Sequence, residues 1–414
     1  MPASAPPASA RGFILFSLGA GISFTGTWAQ RTAFGWLAWE LTHSVAWVGA
    51  LALAELVASL WVTPFAGTVT DRSHPARLLY LTEGASMLLA LLLCLVSALG
   101  GIGIHGLMAA AVAAATLRGF SQPVQMLLPG LLAPEERLSQ AVASSAVSIA
   151  LACAAGPAIA GLAMHLSGGV AAVFAFNAAT YVLLFAVLFH LRGQLHKPPR
   201  RHQAGFRAEM REGFNHVLQR PALRSAFVVT LGFSFLARPF AELLPAFAGE
   251  VFGGNASALS WLMSMQGAGA VAGALLMLRR RQRDALQRIL RGASLGIACA
   301  LLAFVCAGSL DWALPAIALA GFFHVVCNIA LQSLCQLDSA APLRGRVIAL
   351  YGLLFRVGPT IGAFAIAQAA SLLPLGALVG GCALAYALMT LFNARSARRR
   401  LARRHEPQIA EETP

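Results

Sequence analysis

Residues 138–191 read LSQAVASSAVSIALACAAGPAIAGLAMHLSGGVAAVFAFNAATYVLLFAVLFHL and contain no Asp, Glu, Lys or Arg. A helix needs roughly 20 apolar residues to cross a bilayer, so this stretch is long enough for two crossings. The SGG sequence at 167–169 divides it, because small, flexible residues allow the chain to turn. The stretch therefore predicts two membrane helices joined by a short turn.

The rest of the chain repeats this pattern. Of the 414 residues, 58% are hydrophobic and 11% are charged, which is unlike a soluble globular domain. Other long runs also lack charge, and clusters of Gly, Ser and Pro divide the longest of them. We predict an all-α integral membrane protein with twelve transmembrane helices, near residues 13–38, 45–69, 78–98, 105–130, 138–166, 170–191, 222–247, 256–279, 287–308, 312–335, 345–370 and 375–394.

Arg and Lys are concentrated in every second predicted loop and in the C-terminal tail. Short cytoplasmic loops retain their basic residues, so both termini are predicted to face the cytoplasm. The formal charge of +14 is then mainly a topology signal, with attraction to membrane lipids as a secondary effect. We expect no nucleic-acid partner, because these charges lie in separate short loops.

A hydrophilic stretch at 192–221 separates six predicted helices from six. Within it, residues 206–218 place apolar side chains four apart, which predicts an amphipathic helix along the cytoplasmic surface. The sequence GPAIAG at 156–161 resembles GPTIG at 358–362, as a duplicated six-helix unit requires. We predict a disordered tail (1–12), an N-terminal six-helix half (13–191), a basic linker (192–221), a C-terminal six-helix half (222–394) and a basic then acidic tail (395–414).

Charge gathers in one short break between the second and third predicted helices, GTVTDRSHPAR at 67–77. Gly67 allows two helices to approach closely. Asp71 is able to pair with Arg72, Arg77 or a neighbouring helix, forming a latch that breaks when the protein moves. The alternative is a solvated loop whose charges only enforce the topology.

These residues resemble the loop between the second and third helices of the major facilitator superfamily, where Gly67, Asp71, Arg72 and Arg77 match and His74 departs from a more basic pattern. Residues 26–72, 119–162, 238–245 and 343–347 further resemble the enterobactin-exporter-like branch, the transmembrane secretion effectors. The resemblance implies the major facilitator fold and secondary transport by alternating access. It also implies that the 67–77 break is a cytoplasmic gate.

Two more motifs follow from this resemblance. Gly156, Pro157 and Gly161 are similar to a helix-five motif associated with antiporters, for which ordinary small-residue packing is the alternative. In the second half, the loop motif consists of Arg344, Gly345 and Arg346. The second counterpart of the Asp-Arg loop carries Arg residues at 279–281 without the Asp, so no symmetrical second latch is expected.

Ionisable residues inside membrane helices are costly and are candidates for function. Glu55 is expected either to pair with an Arg of the N-terminal half or to carry a proton. Arg238 and Glu242 are four apart, which favours mutual neutralisation on one helix face. Four Arg against two Glu leave the predicted interior positive and favour an anionic substrate. The complete set of cavity or proton-coupling candidates is Arg31, Glu55, Arg118, Arg238, Glu242 and Arg356.

We therefore predict a proton-coupled exporter of a small amphiphilic or anionic compound, siderophore-like or a drug, in the bacterial inner membrane. Proton coupling is implied by the resemblance, and no GxxxxGK[ST] loop for ATP is present. Uptake by the same fold remains an alternative. A lipid-acting membrane enzyme is a further alternative, although no HExxH or GxSxG motif supports it. We expect a monomer without a metal site, a cofactor or enzymatic activity.

Overall fold

A computed structural model describes residues 10–132, 138–167, 169–191, 206–277 and 282–409, and all regular structure within them is helical. The predicted disordered tail, the first part of the linker and the Arg residues at 279–281 lie wholly or largely outside these ranges. The α-helices are α1 (Ala10–Thr42), α2 (Val45–Arg72), α3 (Pro75–Ala98), α4 (Ile104–Leu132), α5 (Leu138–Ser167), α6 (Ala171–Leu191), α7 (Phe206–Gln219), α8 (Pro221–Gly232), α9 (Leu244–Glu250), α10 (Ala256–Met277), α11 (Arg283–Val305), α12 (Leu310–Asp338), α13 (Arg344–Ala369) and α14 (Leu375–Ile409).

Ten helical stretches in these ranges are long and apolar enough to cross a membrane. The chain is therefore a multi-pass membrane protein whose described residues form an all-helical fold. α1 and α5 are not among these ten stretches, and α5 contributes only a shorter apolar stretch, Leu151–Ser167. The count of twelve crossings and the cytoplasmic position of both termini remain predictions.

The turn between α2 and α3 is much shorter than the loop at 70–77 that the predicted spans leave between them. α2 continues through Arg72, and only Ser73 and His74 separate it from α3. Pro75 occupies the first turn of α3, where its missing N–H costs nothing and its fixed φ favours the start of a helix. Most of the motif thus belongs to helix ends.

The predicted helix at 222–247 is interrupted. After α8 the chain forms a π-helical segment, Phe233–Ala237, and a 3-10 segment, Pro239–Leu243, before α9. Pro239 has no N–H to donate, and the N–H of Arg238 bonds to the carbonyl of Phe233, five residues back. The expectation that Arg238 and Glu242 lie four apart on one regular α-helix is therefore wrong.

The chain divides into two compact units, which are described separately. Unit 1 contains residues 1–202 and 243–267, and unit 2 contains residues 203–242 and 268–414. Residues 243–267 belong to unit 1 although they follow the predicted linker. Their packing explains this, because Gly35 faces Pro245 and Gly249 faces the Trp39 indole at distances that leave no room for a side chain. The division into six-helix halves at 13–191 and 222–394 remains a prediction.

Glycines allow close helix contacts in unit 1. A Cβ on Gly156 of α5 would lie 2.6 Å from the Cβ of Trp28 and 3.0 Å from the backbone nitrogen of Ala29, both on α1. Gly161 lies about one and a half turns further along α5, and a Cβ there would collide with the side chain of Ser260 on α10. Such small residues let membrane helices pack backbone to backbone, so α5 lies against α1 and α10.

Unit 2 contains a matching contact. A Cβ on Gly358 of α13 would lie 2.6 Å from the Cβ of Ser234 in the π-helical segment, and one on Gly362 would lie 2.6 Å from the carbonyl oxygen of Phe235. The first glycines of the two GP sequences thus make equivalent contacts, whereas the second glycines differ, since Gly161 faces Ser260 of α10 and Gly362 faces Phe235 and Pro239. Each places its first glycine against the first membrane helix of its predicted half, and the duplication itself remains a prediction.

Candidate functional site

Unit 1 brings together three of the predicted membrane charges. Nη2 of Arg118 on α4 lies 3.3 Å from Oε2 of Glu55 on α2, and Nε of Arg31 on α1 lies 3.9 Å from the same oxygen. Three helices therefore direct one carboxylate and two guanidinium groups to one point. Two cations against one anion leave this cluster with a net positive charge.

The exposure of these side chains differs within the cluster. The side chain of Glu55 is 12% exposed, whereas those of Arg31 and Arg118 are 36% and 32% exposed. The guanidinium carbon of Arg31 also lies 5.3 Å from the centre of the Trp28 ring, a cation–π distance. The carboxylate is thus largely covered, while each cation keeps an accessible part.

The structure also shows a buried carboxylate that is absent from the predicted candidates. Glu83 on α3 is 3% exposed, and its Oε1 accepts a hydrogen bond of 2.7 Å from Nε2 of Gln125 on α4. It lies inside the span 76–98. The signal was present in the sequence, since Glu83 falls within the predicted third helix. Glu83 reduces the expected excess of positive charge.

A polar network continues from Glu83 across unit 1. Tyr181 on α6 is within electrostatic reach of Glu83 and Arg118 and hydrogen-bonds with Thr27 and Asn177. Nδ2 of Asn177 in turn donates a 2.7 Å hydrogen bond to Oε1 of Gln30, the neighbour of Arg31 on α1. Buried polar groups are normally paired in this way. The network therefore connects the surroundings of both carboxylates.

Arg238 is the predicted charge with the clearest contacts in unit 2. Its guanidinium carbon lies 3.7 Å from the centre of the Phe355 ring, and its Nη1 donates to the carbonyl oxygen of Phe355. The ring of His324 packs nearby, 5.2 Å from Phe233, and its Nδ1 has no hydrogen-bond partner within the described residues. Glu242 is half-buried and Arg356 is exposed. Unit 2 thus places a cation on an aromatic surface.

The remaining predicted motifs are dispersed. Gly67, Asp71 and Arg72 lie in the last turns of α2, where only the backbone is described, and Arg77 is exposed in the first turn of α3. The latch formed by Asp71 therefore remains a proposal. The residues of the helix-five motif make the close contacts with α1 and α10 described above.

The loop motif of the second half lies at the start of α13. Arg346 forms a salt bridge with Glu212 on α7, while Arg344 and Gly345 are exposed. A Cβ on Gly213 of α7 would lie 3.0 Å from the Cβ of Arg346. The motif therefore fastens α7 to α13, which no sequence pattern had indicated.

An ion pair in unit 2 was not predicted. Nε of Arg283, the first residue of α11, lies 2.7 Å from Oδ1 of Asp338, the last residue of α12. Nη1 of Arg220, which precedes α8, donates to the backbone oxygen of Asp338. One residue at the end of α12 thus holds two basic residues from other parts of unit 2.

Charged residues inside membrane helices are typical of membrane transporters, and the comparison with known families assigns the chain to that class. A model of the transmembrane secretion effector family matches residues 3–411. The chain therefore belongs to that family, a branch of the major facilitator superfamily, as the sequence resemblance indicated. In sequence it is similar to the staphyloferrin A transporter of Staphylococcus aureus (strain NCTC 8325 / PS 47), with 24% identity over 259 residues, which are 61% of this chain and 64% of that protein.

Solved structures agree on the fold. A POT family transporter in complex with 5-aminolevulinic acid is 11% identical, with a TM-score of 0.73 over 94% of this chain and 97% of that one. A bacterial homologue of the iron transporter ferroportin, in an inward-facing state, is 14% identical, with a TM-score of 0.68 over 94% and 99% of the two chains. At these identities the likeness shows the fold alone.

Proposed function

We propose that this protein is a secondary active transporter that exports a small amphiphilic anion from a bacterial cell across its inner membrane, driven by inward proton flow. The observation that carries the proposal is the cluster of Arg31, Glu55 and Arg118. Charged residues in membrane helices mark substrate or ion pathways. This cluster is net positive, and both cations are partly accessible, which suits an anionic group.

The comparisons support the substrate class without defining it. The relative from Staphylococcus aureus is named for staphyloferrin A, and family membership supports transport of a small solute. We extend this to an anionic, siderophore-like compound, with an amphiphilic drug as the alternative. Export rests on the family's description as secretion effectors and on the resemblance to exporters. Uptake by the same site is the competing direction.

Proteoliposomes containing the purified protein test this proposal. An imposed pH gradient should drive accumulation of a labelled anionic catecholate, and a protonophore should abolish it. Liposomes that contain Arg118→Gln should accumulate about ten-fold less, because losing one cation of a partly buried pair weakens anion binding by at least ~1.4 kcal/mol. Equal accumulation with and without the gradient would contradict proton coupling. Movement in the opposite direction relative to the gradient would favour uptake.

A further inference from the structure

The carboxyl group of Glu83 is set apart from that of Glu55 by its partners. Glu55 is held by two guanidinium groups. Glu83 forms no salt bridge within the described residues, and its hydrogen bonds come from the neutral side chains of Gln125 and Ser121, both on α4. Of these two carboxyl groups in unit 1, Glu55 therefore has cationic partners and Glu83 has neutral ones.

Proton binding has different consequences at the two groups. Protonation of Glu55 would give up its pairs with Arg31 and Arg118. Protonation of Glu83 removes a buried negative charge that has no cationic partner, and such a charge is costly to keep in an apolar region. A protonated Glu83 also keeps its hydrogen bonds, because a carboxylic acid still accepts from Gln125 and its O–H is able to donate to the Ser121 hydroxyl.

The groups that face Glu83 from the neighbouring helices are consistent with this difference. α3 packs against α4 and α6. From α4 come Gln125 and Ser121, with Arg118 one turn earlier and already paired with Glu55. From α6 comes Tyr181, a neutral phenol. Within the described residues, no side chain that contacts Glu83 directly carries a compensating positive charge.

From this arrangement we infer that Glu83 is the proton-binding site of the transporter and that Glu55 is a fixed partner of the anion-binding arginines. The inference rests on the proposed function and, of the two sequence-based alternatives for Glu55, retains the salt bridge and not the proton carrier. Ser121 and Arg118 are three residues apart on α4 and therefore on neighbouring positions of one helix face. α4 thus joins the proton site, through Ser121 and Gln125, to the anion site, through Arg118. A proton that arrives at Glu83 keeps the bond from Gln125 and reverses the bond with Ser121, which a carboxylate accepts and a carboxylic acid donates, and both partners lie on the helix that carries Arg118.

Infrared difference spectroscopy tests the proton site without any transport. Purified protein is taken through about pH 4 to 9, the range in which carboxyl groups in proteins titrate. The C=O stretch of a buried protonated carboxyl group should appear and disappear in wild type, and it should be lost in Glu83→Gln. In the matched control Glu55→Gln the band should remain. The band should move to a different frequency in Gln125→Ala, because the C=O of the Glu83 carboxyl group loses the hydrogen bond that Gln125 donates.

Survival of the band in Glu83→Gln, or its loss in Glu55→Gln, would overturn the inference, as would a band that responds to sodium at constant pH. Circular dichroism and gel filtration check that each variant is folded. Glu83→Asp supplies a second variant, which keeps an ionisable group and should keep a titrating band.

A transport measurement then asks whether this proton is the one that drives the solute. The solute is the labelled catecholate, measured in gradient-driven accumulation and in exchange across liposomes without a gradient. Glu83→Gln should lower accumulation about ten-fold more than it lowers exchange. An equal loss of both would indicate a structural role and overturn the inference. If wild-type protein moves no solute, the proposed function fails, and the infrared result alone decides whether Glu83 binds a proton.

Discussion

Arg118 Nη2 and Glu55 Oε2 lie 3.3 Å apart, a distance at which the pair is both a hydrogen bond and a salt bridge. The two residues come from α4 and α2, which pack against each other in unit 1. Because Arg31 approaches the same carboxylate oxygen, Glu55 separates two like charges. The Glu55 carboxylate therefore positions both guanidinium groups and limits the repulsion between them.

A double-mutant cycle between Arg118 and Glu55 should show this coupling in thermal unfolding. We expect Arg118→Gln and Glu55→Gln to interact by about 0.5–3 kcal/mol, the range for residues in direct contact. Glu55→Gln should be the more destabilising single change, because it leaves Arg31 and Arg118 without the anion between them. Additive effects within error would contradict a working ion pair.

Gly156 should not tolerate a side chain. Gly156→Ala places a methyl group 2.6 Å from the Cβ of Trp28, and overpacking of this kind costs about 1–3 kcal/mol. The matched control is Gly352→Ala on α13, where nothing lies within 4 Å of an added Cβ. There the better helix propensity of Ala should be neutral or stabilising by up to about 1 kcal/mol. Thermal melting of both proteins in detergent measures the difference, and equal melting temperatures would contradict the close contact between α1 and α5.

The contact between Arg238 and Phe355 should depend on the aromatic ring. Phe355→Leu keeps an apolar side chain but removes the π-system that lies 3.7 Å from the guanidinium carbon, which should cost about 0.5–2 kcal/mol of stability. Phe392→Leu is the control, because Phe392 is 74% exposed and should be replaceable without loss. Arg238→Lys should not substitute for Arg238, since an ammonium group lacks the planar face that stacks on a ring. A stable Phe355→Leu protein would show that the ring contributes packing alone.

The pair between Arg283 and Asp338 should be weak and sensitive to salt. The side chain of Arg283 is 49% exposed, so solvent screens the interaction and Asp338→Asn should cost less than about 1 kcal/mol at low salt. The difference in melting temperature between wild type and Asp338→Asn should shrink as salt is raised toward about 1 M. A difference that does not change with salt would mean that Asp338 acts through its packing or its backbone contact with Arg220.

Most helix positions were predictable because a bilayer imposes long apolar runs. The predicted span at 45–69 corresponds to α2 (Val45–Arg72), and the predicted span at 375–394 begins at the same residue as α14. Ends were less predictable where polar residues continue a helix beyond its apolar part, as at Asp71 and Arg72. The break at Arg238 was signalled by Pro239, but a proline does not state whether a π-helical or a 3-10 segment will form.

The candidate site was only partly predictable. The sequence marked Arg31, Glu55 and Arg118 as costly in a membrane, and it left open whether Glu55 would have a partner. Which helices meet is decided by contacts such as that of Gly156 with Trp28, and these contacts depend on the whole of unit 1. Glu83 was missing from the predicted candidates although it lies within the predicted span 78–98. Its burial follows from the packing of α4 and α6 around α3.

Charge selectivity tests the central claim most directly. A labelled anionic catecholate and a cationic dye are offered together to proteoliposomes under one imposed pH gradient, and the ratio of their initial rates is measured for wild type and for Arg118→Gln. We predict that wild type favours the anion and that the ratio falls about ten-fold in the variant, since one of the two cations of the proposed anion site is lost. A wild-type protein that moves the cation as fast as the anion, or a ratio unchanged in Arg118→Gln, would contradict an anion site at Arg31, Glu55 and Arg118.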